Sequence, residues 1–304
     1  MKYIFTIALT WAVVNFYGQS CCCAGAGTGY YLLPYFNNHF LGARAAYRNL
    51  YNELHSINPE INGRRYDHHL YIVELFGRFN LSPRVQLNVS LPYHNLHQVQ
   101  RNSTHKKQGP GDITLLWTYQ AIAPRQCKER VKHELRLGGG IKLPMGSFEM
   151  DQQNRFNTLL QLGTGSVDFP VIAIYTLRYA KFGYNTSLHY RFNTPNPKQF
   201  RFGDQVQWQQ RLFYVIAIKE LQLMPAVGLI YEYQMPARHR KRILRFTGGH
   251  YVHALAGIDI YYKGLAFSSS IAPALMNRLN WSGEARYRFT LEAGVFYYFK
   301  TKNH

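Results

Sequence analysis

Strict period-two alternation is the feature that most limits what this chain can fold into. From about Phe40 to Phe299, segments of roughly nine to fifteen residues alternate between apolar and polar or small side chains. In the last segment Phe289, Leu291, Ala293, Val295, Tyr297 and Phe299, with Tyr287, are expected on one face, and Arg288, Thr290, Glu292 and Gly294 on the other. The same habit runs through 41–49, 69–79, 85–91, 113–121, 131–143, 169–179, 182–192, 206–218, 221–233, 250–262 and 265–273. A strand with two unlike faces produces this period, whereas a helix repeats every 3.6 residues. No amphipathic helical pattern of ten residues or more competes with it. The segments predict an all-β chain of about 12 antiparallel strands.

Composition decides what lies on either side of that sheet. The 304 residues are 46% hydrophobic, yet the mean hydropathy is -0.29. No run of 18 apolar residues occurs, which excludes a transmembrane helix. The apolar and aromatic content excludes disorder, and four cysteines in this length exclude a disulfide scaffold. A closed sheet with one greasy and one wet face reconciles the numbers, because backbone groups in lipid must all be paired. The 24 Tyr and 19 Phe fit the same picture, since many fall near strand ends, as in Tyr261-Tyr262 and Tyr297-Tyr298-Phe299. Aromatic rings with one wet edge prefer the membrane interface.

Connection lengths alternate too. Asn80 to Arg84, Ala180-Lys181, Lys219-Glu220 and Lys263-Gly264 are tight, and 123–130 is somewhat longer. Segments 50–67, 98–111, 144–157, 193–205, 234–249 and 274–283 are long and polar. Short turns on one side and long loops on the other predict a transmembrane antiparallel β-barrel in a bacterial outer membrane. An even strand count places both termini on the short-turn, periplasmic side. A soluble β-sandwich also alternates, but it would have shorter strands and no alternation of loop lengths.

The start of the chain reads as an export signal. Met1-Lys2 precede an apolar run of about a dozen residues ending at Val14, followed by Tyr17-Gly18-Gln19-Ser20. We therefore divide the chain into a signal peptide (1–18), a Cys/Gly-rich N-terminal segment (19–38) and a barrel (39–304). Cys21, Cys22 and Cys23 could bind a soft metal such as copper, carry a lipid or stand idle. The formal charge of +19, from 35 Lys and Arg against 16 Asp and Glu, asks for anionic partners. Export makes nucleic acid an improbable one. Arg238 to Arg242, with Arg245, and Arg101, Lys106 and Lys107 lie in long loops, where phosphates of lipopolysaccharide would suit them.

Polar-face charges are the candidate lumen lining: Arg44, Arg48, Glu74, Arg78, Asp112, Glu134, Arg136, Lys142, Arg178, Arg191, Arg211, Glu232, Asp259, Arg288 and Glu292. They could form a basic-biased path for polar solutes or, paired, brace a plugged interior. Ser187 and His189 share a face but stand only two residues apart, and no Gly-x-Ser-x-Gly elbow occurs. No enzyme activity and no cofactor are expected.

Three segments carry a family resemblance. They are Gly109-Pro-Gly111-Asp112, Gly140-Ile-Lys142-Leu-Pro-Met-Gly146, and Leu162-Gly-Thr164-Gly-Ser166-Val-Asp168. In kind and order they resemble the outer-membrane barrel family named for the MetA pathway of phenol degradation, with Met145 where that family has Thr. The resemblance is specific over about 60 residues. It implies a transporter-like barrel for small, often hydrophobic compounds, and the Cys-rich start resembles exported proteins of Bacteroidetes. The reading is thus passive or facilitated passage of small molecules through an outer-membrane barrel. A plugged structural barrel holding lipopolysaccharide or a partner is the alternative, and metal handling by the cysteines a second.

Overall fold

The computed structural model describes residues 39–54, 63–100, 103–124, 131–149, 160–244, 247–279 and 283–299. The signal peptide, Cys21 to Cys23, Cys127, Arg101 and Arg245 lie outside these residues. The strands in chain order are β1 (His39–Leu54), β2 (Arg65–Asn80), β3 (Val85–Gln100), β4 (Ser103–Pro110), β5 (Ile113–Ile122), β6 (Val131–Leu143), β7 (Phe169–Tyr179), β8 (Phe182–Phe192) and β9 (Phe200–Arg201). Then follow β10 (Gln205–Tyr214), β11 (Ile216–Ile218), β12 (Leu221–Gln234), β13 (Arg238–His239), β14 (Arg242–Ile243), β15 (Gly249–Tyr262), β16 (Leu265–Leu279) and β17 (Gly283–Phe299).

Twelve of these close into one antiparallel barrel, in the order β1, β2, β3, β5, β6, β7, β8, β10, β12, β15, β16, β17. Closure runs from His39 opposite Phe299 to Leu54 opposite Gly283. Each barrel strand therefore has a neighbour on both sides, which is what a sheet in lipid requires. The terminal strands begin and end at the tight-turn side, where the His39 and Phe299 rings stack 5.2 Å apart.

The outward face is apolar. Leu41, Leu75, Val171, Leu212, Val227 and Val295 are each about half exposed. Aromatic residues mark both edges of this band. Phe182 and Phe192 point outward from the two ends of β8, as do Phe169 and Tyr179 on β7. Ten residues at a rise of about 3.4 Å, tilted by about 40°, place such rings about 26 Å apart along the barrel axis. That is the height of a bilayer's hydrocarbon band in this class of protein.

Two expectations from sequence need correction. Of the segments expected as long loops, residues 50–54, 65–67, 274–279 and 283 are strand, because β1, β2, β16 and β17 continue above the apolar band. Their outer ends carry mixed polar and aromatic residues on both faces, so hydropathy alternation fades while backbone pairing persists. Segment 98–111 likewise holds β4, which folds back on the upper half of β3. Arg288 does not face the lumen. A register shift between Asn49 and Leu50 pairs them with Phe289 and Tyr287, leaving Arg288 as the extra residue. Such a bulge turns the next side chain to the other face. Tyr287 consequently points inward and is buried. Arg288 stays outside, ion-paired to Asp67 at 3.2 Å and set over the Tyr51 ring.

Candidate functional site: the lumen

The lumen is layered along its axis. At the long-loop end, Leu50, Leu70, Leu96, Tyr251 and Tyr287 converge from five strands on Leu162, which belongs to the connection between β6 and β7. At the tight-turn end, Phe40, Phe213, Val215, Met224, Tyr261 and Ala266 form a second apolar cluster, backed by Phe296 and Tyr298. The charged side chains lie between these two layers. Burial of charge demands partners, and most of them have one. Arg44 bonds Glu74, which also accepts from Ser90. Arg136 donates Nε–H to Glu134 at 2.6 Å, and Gln120 donates to the same oxygen at 2.8 Å. Arg211 reaches Asp259 at 2.6 Å. Glu232 accepts from Gln207 at 2.9 Å and from Tyr251. Arg78 donates to Asn88 at 3.0 Å and lies against the Phe40 and Phe76 rings. Arg191 bonds Gln205, and Arg178 caps the β7–β8 turn through the Ala180 carbonyl at the rim.

Cations and carboxylates thus nearly cancel along the inner wall, as in the paired one of the two arrangements considered from sequence. The surplus positive charge sits on exposed positions such as Arg64, Arg84, Lys132, Lys181, Lys198, Lys219 and the Arg238 to Arg242 hairpin.

Asp112 and Lys142 belong to a separate cluster at the upper rim. Lys142 Nζ contacts Asp112 at 2.7 Å, Asp168 at 2.6 Å and the Thr164 hydroxyl at 2.6 Å. One ammonium faces two carboxylates, so further donors are needed. The backbone N–H groups of Gly146 and Thr164 donate to Asp112, and those of Thr194 and the Ser166 hydroxyl to Asp168. Asp168 is fully buried. Gly146 and Gly163 pack backbone to backbone, and a Cβ on Gly146 would lie 2.6 Å from the Gly163 nitrogen. Residues of all three sequence motifs meet in this one cluster. Its effect is to tie the connection 144–168 to the rim, which carries Leu162 into the mouth layer. The Asn193, Arg201 and Asp204 bonds extend the cluster to the next loop. Phe148, Phe200, Phe202, Ala237 and Leu244 join three long loops in an apolar patch, beside a small sheet of β9, β13 and β14.

Sequence alternation missed Asp168, Thr164 and Leu162 because they lie outside strands. Asp168 and Thr164 stood within a quoted motif, and Leu162 was an apolar residue in a polar loop.

The larger open spaces lie along one wall, and a smaller one lined by Arg78, Asn88, Leu116, Arg136 and Ile172 lies across the barrel. A narrow cavity is lined by Phe40, Phe76 and Phe296 at its lower end and by Arg44, Arg211, Asp259, Ser268 and Glu292 above. A second, smaller one is lined by Arg48, Glu232, Tyr251, His253, Tyr287 and Glu292. Leu255, Ser270 and Glu292 line both. The inward residues here are small, namely Gly257, Ser268, Ser270 and Ala272 on β15 and β16. Across the barrel Leu116, Ile172 and Ile174 pack together. The triple glycine of β6 serves this packed side. A Cβ on Gly138 or Gly140 would collide with the carbonyl oxygens of Trp117 or Leu115 on β5. Among the described residues, no cluster of three His, Cys, Asp or Glu could hold a metal ion.

No protein-family model matches the chain, and no curated protein does. Among solved structures it is similar to the COG4313 outer membrane channel from Pseudomonas putida F1, with a TM-score of 0.65 at 14% identity over 90% of this chain and 98% of that one. The translocator domain of the autotransporter NalP from Neisseria meningitidis scores 0.43 at 9% identity, over 86% and 88% of the two chains. The β domain of the Bordetella autotransporter BrkA scores 0.45 at 13% identity, over 86% and 100%. The fold is that of a closed twelve-stranded transmembrane β-barrel.

Proposed function

We propose that this protein is an outer-membrane barrel through which small molecules pass down their gradient. One observation carries the reading. Two adjoining cavities run inside a closed wall between the two apolar layers, and they share Ser270, Leu255 and Glu292. A solute would enter past Leu162 and the mouth layer, shed part of its water, contact the lining charges and leave past Phe40 and Tyr261. The structurally similar protein from Pseudomonas putida F1 is an outer membrane channel, which supports this reading. The motif resemblance to the MetA-pathway family supports a cargo of small, often hydrophobic compounds and a bacterial source of the Bacteroidetes kind.

The remaining parts follow from the same reading. Residues 1–18 direct export, and 19–38 precede the barrel. The exposed Arg238, Arg240, Lys241 and Arg242 contact lipopolysaccharide phosphates. The protein performs no reaction on its cargo. The two apolar layers favour one alternative, a barrel whose lumen stays shut. Liposome swelling with neutral solutes of increasing size separates the two. Uptake that falls off with solute size supports passage, and swelling no faster than in protein-free liposomes overturns it.

A further inference from the structure

Glu292 differs from the other lumen carboxylates. Glu74, Glu134, Glu232 and Asp259 each accept at least one hydrogen bond from a neighbouring side chain. Glu292 is 8% exposed, and its Oε2 is buried with no hydrogen-bond partner. The reason is its surroundings. In register it stands between Ala46 of β1 and Ser270 of β16, and Gly294 follows it on the same face. None of these reaches across to the carboxylate. Arg48 is close enough to interact with it electrostatically, together with Glu232, so the carboxylate has a counter-charge without a donor. It therefore presents a free acceptor at the junction of the two cavities. A buried acceptor left unmatched is costly, and a partner that supplies the missing donor recovers that cost.

The surrounding charges restrict what that partner can be. An anion would meet Glu292 and Asp259. A cation would meet Arg44, Arg48 and Arg211. A neutral molecule avoids both, and Phe40, Phe76 and Phe296 at the lower end offer a surface for an apolar body. We propose that Glu292 is the specificity-determining residue of the lumen, holding neutral solutes that carry an apolar body and an O–H or N–H donor. The proposal rests on the passage reading above and names the solute class for it. A site built around an acceptor rejects the analogue that lacks the donor more strongly than it rejects a change of size.

Calorimetric titration of the full chain in detergent tests this, with benzyl alcohol, benzyl methyl ether and benzoate as probes. The wild type is expected to bind the alcohol at least tenfold more tightly than the ether, and benzoate more weakly than the alcohol. Glu292→Leu should erase the preference for the alcohol. Glu292→Gln keeps an acceptor oxygen without charge and should retain a reduced preference. Heat-modifiable electrophoretic mobility reports whether each variant is folded, and Glu292→Gln decides if the leucine variant is not. Equal affinity for alcohol and ether, no binding of any probe, or a ratio unchanged in both variants would overturn the proposal. Liposome uptake on the same preparations keeps the two readings apart. Wild-type uptake with an unchanged ratio sinks the role of Glu292 alone, and absent wild-type uptake sinks passage itself.

Discussion

The two walls of this barrel solve different problems with the same strand pattern. On the side of β5 to β8 the interior is more fully packed, and the cavity there is the smallest of the three described. Leu116, Ile172 and Ile174 pack together, Arg136 and Glu134 pair, and the Lys142 cluster locks a loop to the rim. Around β15, β16 and β17 the inward positions include Gly257, Ser268, Ser270, Ala272 and Gly294 among larger residues such as Leu255 and Tyr261, and the two larger cavities lie beside them. Both walls alternate equally well in sequence. Residue size, not periodicity, separates framework from route.

Breaking the framework should cost stability before anything else. Lys142→Met would leave Asp112 and Asp168 facing each other at the rim without their cation. Removing one member of a buried ionic group typically costs about 3–5 kcal/mol. Thermal unfolding in detergent should show the loss in full, and an unchanged midpoint would mean that the cluster is ornamental to the fold. A smaller effect is expected one step away, at Leu162. Leu162→Ala removes the loop's contribution to the mouth layer, and truncation of a buried leucine costs about 2–5 kcal/mol where the site is rigid. A loop can relax, so the low end of that range applies. Solute uptake should rise several-fold while the barrel stays folded. A fall in uptake would contradict the role assigned to the loop.

The smallest effect concerns pH at the surface of the same loop. Lys107 bonds Glu149 at 3.0 Å and holds its carboxyl below the ordinary value of 4.5. A carboxylate with a depressed value contributes above the ordinary value and loses that contribution as pH falls through the depressed one. Glu149 is largely exposed, so the pair is worth below about 1 kcal/mol. Amide protection around residues 147–149, corrected for the intrinsic exchange rate at each pH, should fall modestly as the medium is acidified below about pH 4.5. In Glu149→Gln that corrected protection should no longer depend on pH in that window.

Much of the barrel was legible in the sequence, for a physical reason. Two solvents on two faces force alternation, and alternation placed every barrel strand. Legibility stopped where that force stops. Above the lipid band polar residues occupy both faces: Asn52 of β1 is buried and Asn277 of β16 bonds the Tyr287 backbone, while Arg278 is exposed, so hydropathy does not sort their faces. One extra residue opposite Asn49 and Leu50 was enough to misplace Arg288 and Tyr287, since a bulge leaves the composition unchanged. Within the candidate site, Glu292 was visible as a polar-face charge. Its lack of a donor was not, because that depends on Ala46 and Ser270, which come from other strands. Asp112 and Lys142 were both visible, but their joint partner Asp168 lies 26 residues beyond Lys142 in sequence, a separation that no strand period describes.

Filling the open wall tests the central claim most directly. Ser270 lines both cavities, and Ser270→Phe would place a ring in their junction without touching the Lys142 cluster. Uptake of a small neutral solute into liposomes should be measured for the wild type and this variant at matched amounts of folded barrel. Passage along the β15–β17 wall predicts clear wild-type uptake and at least a tenfold reduction in the variant. Equal uptake by the two proteins would place the route elsewhere and contradict the account.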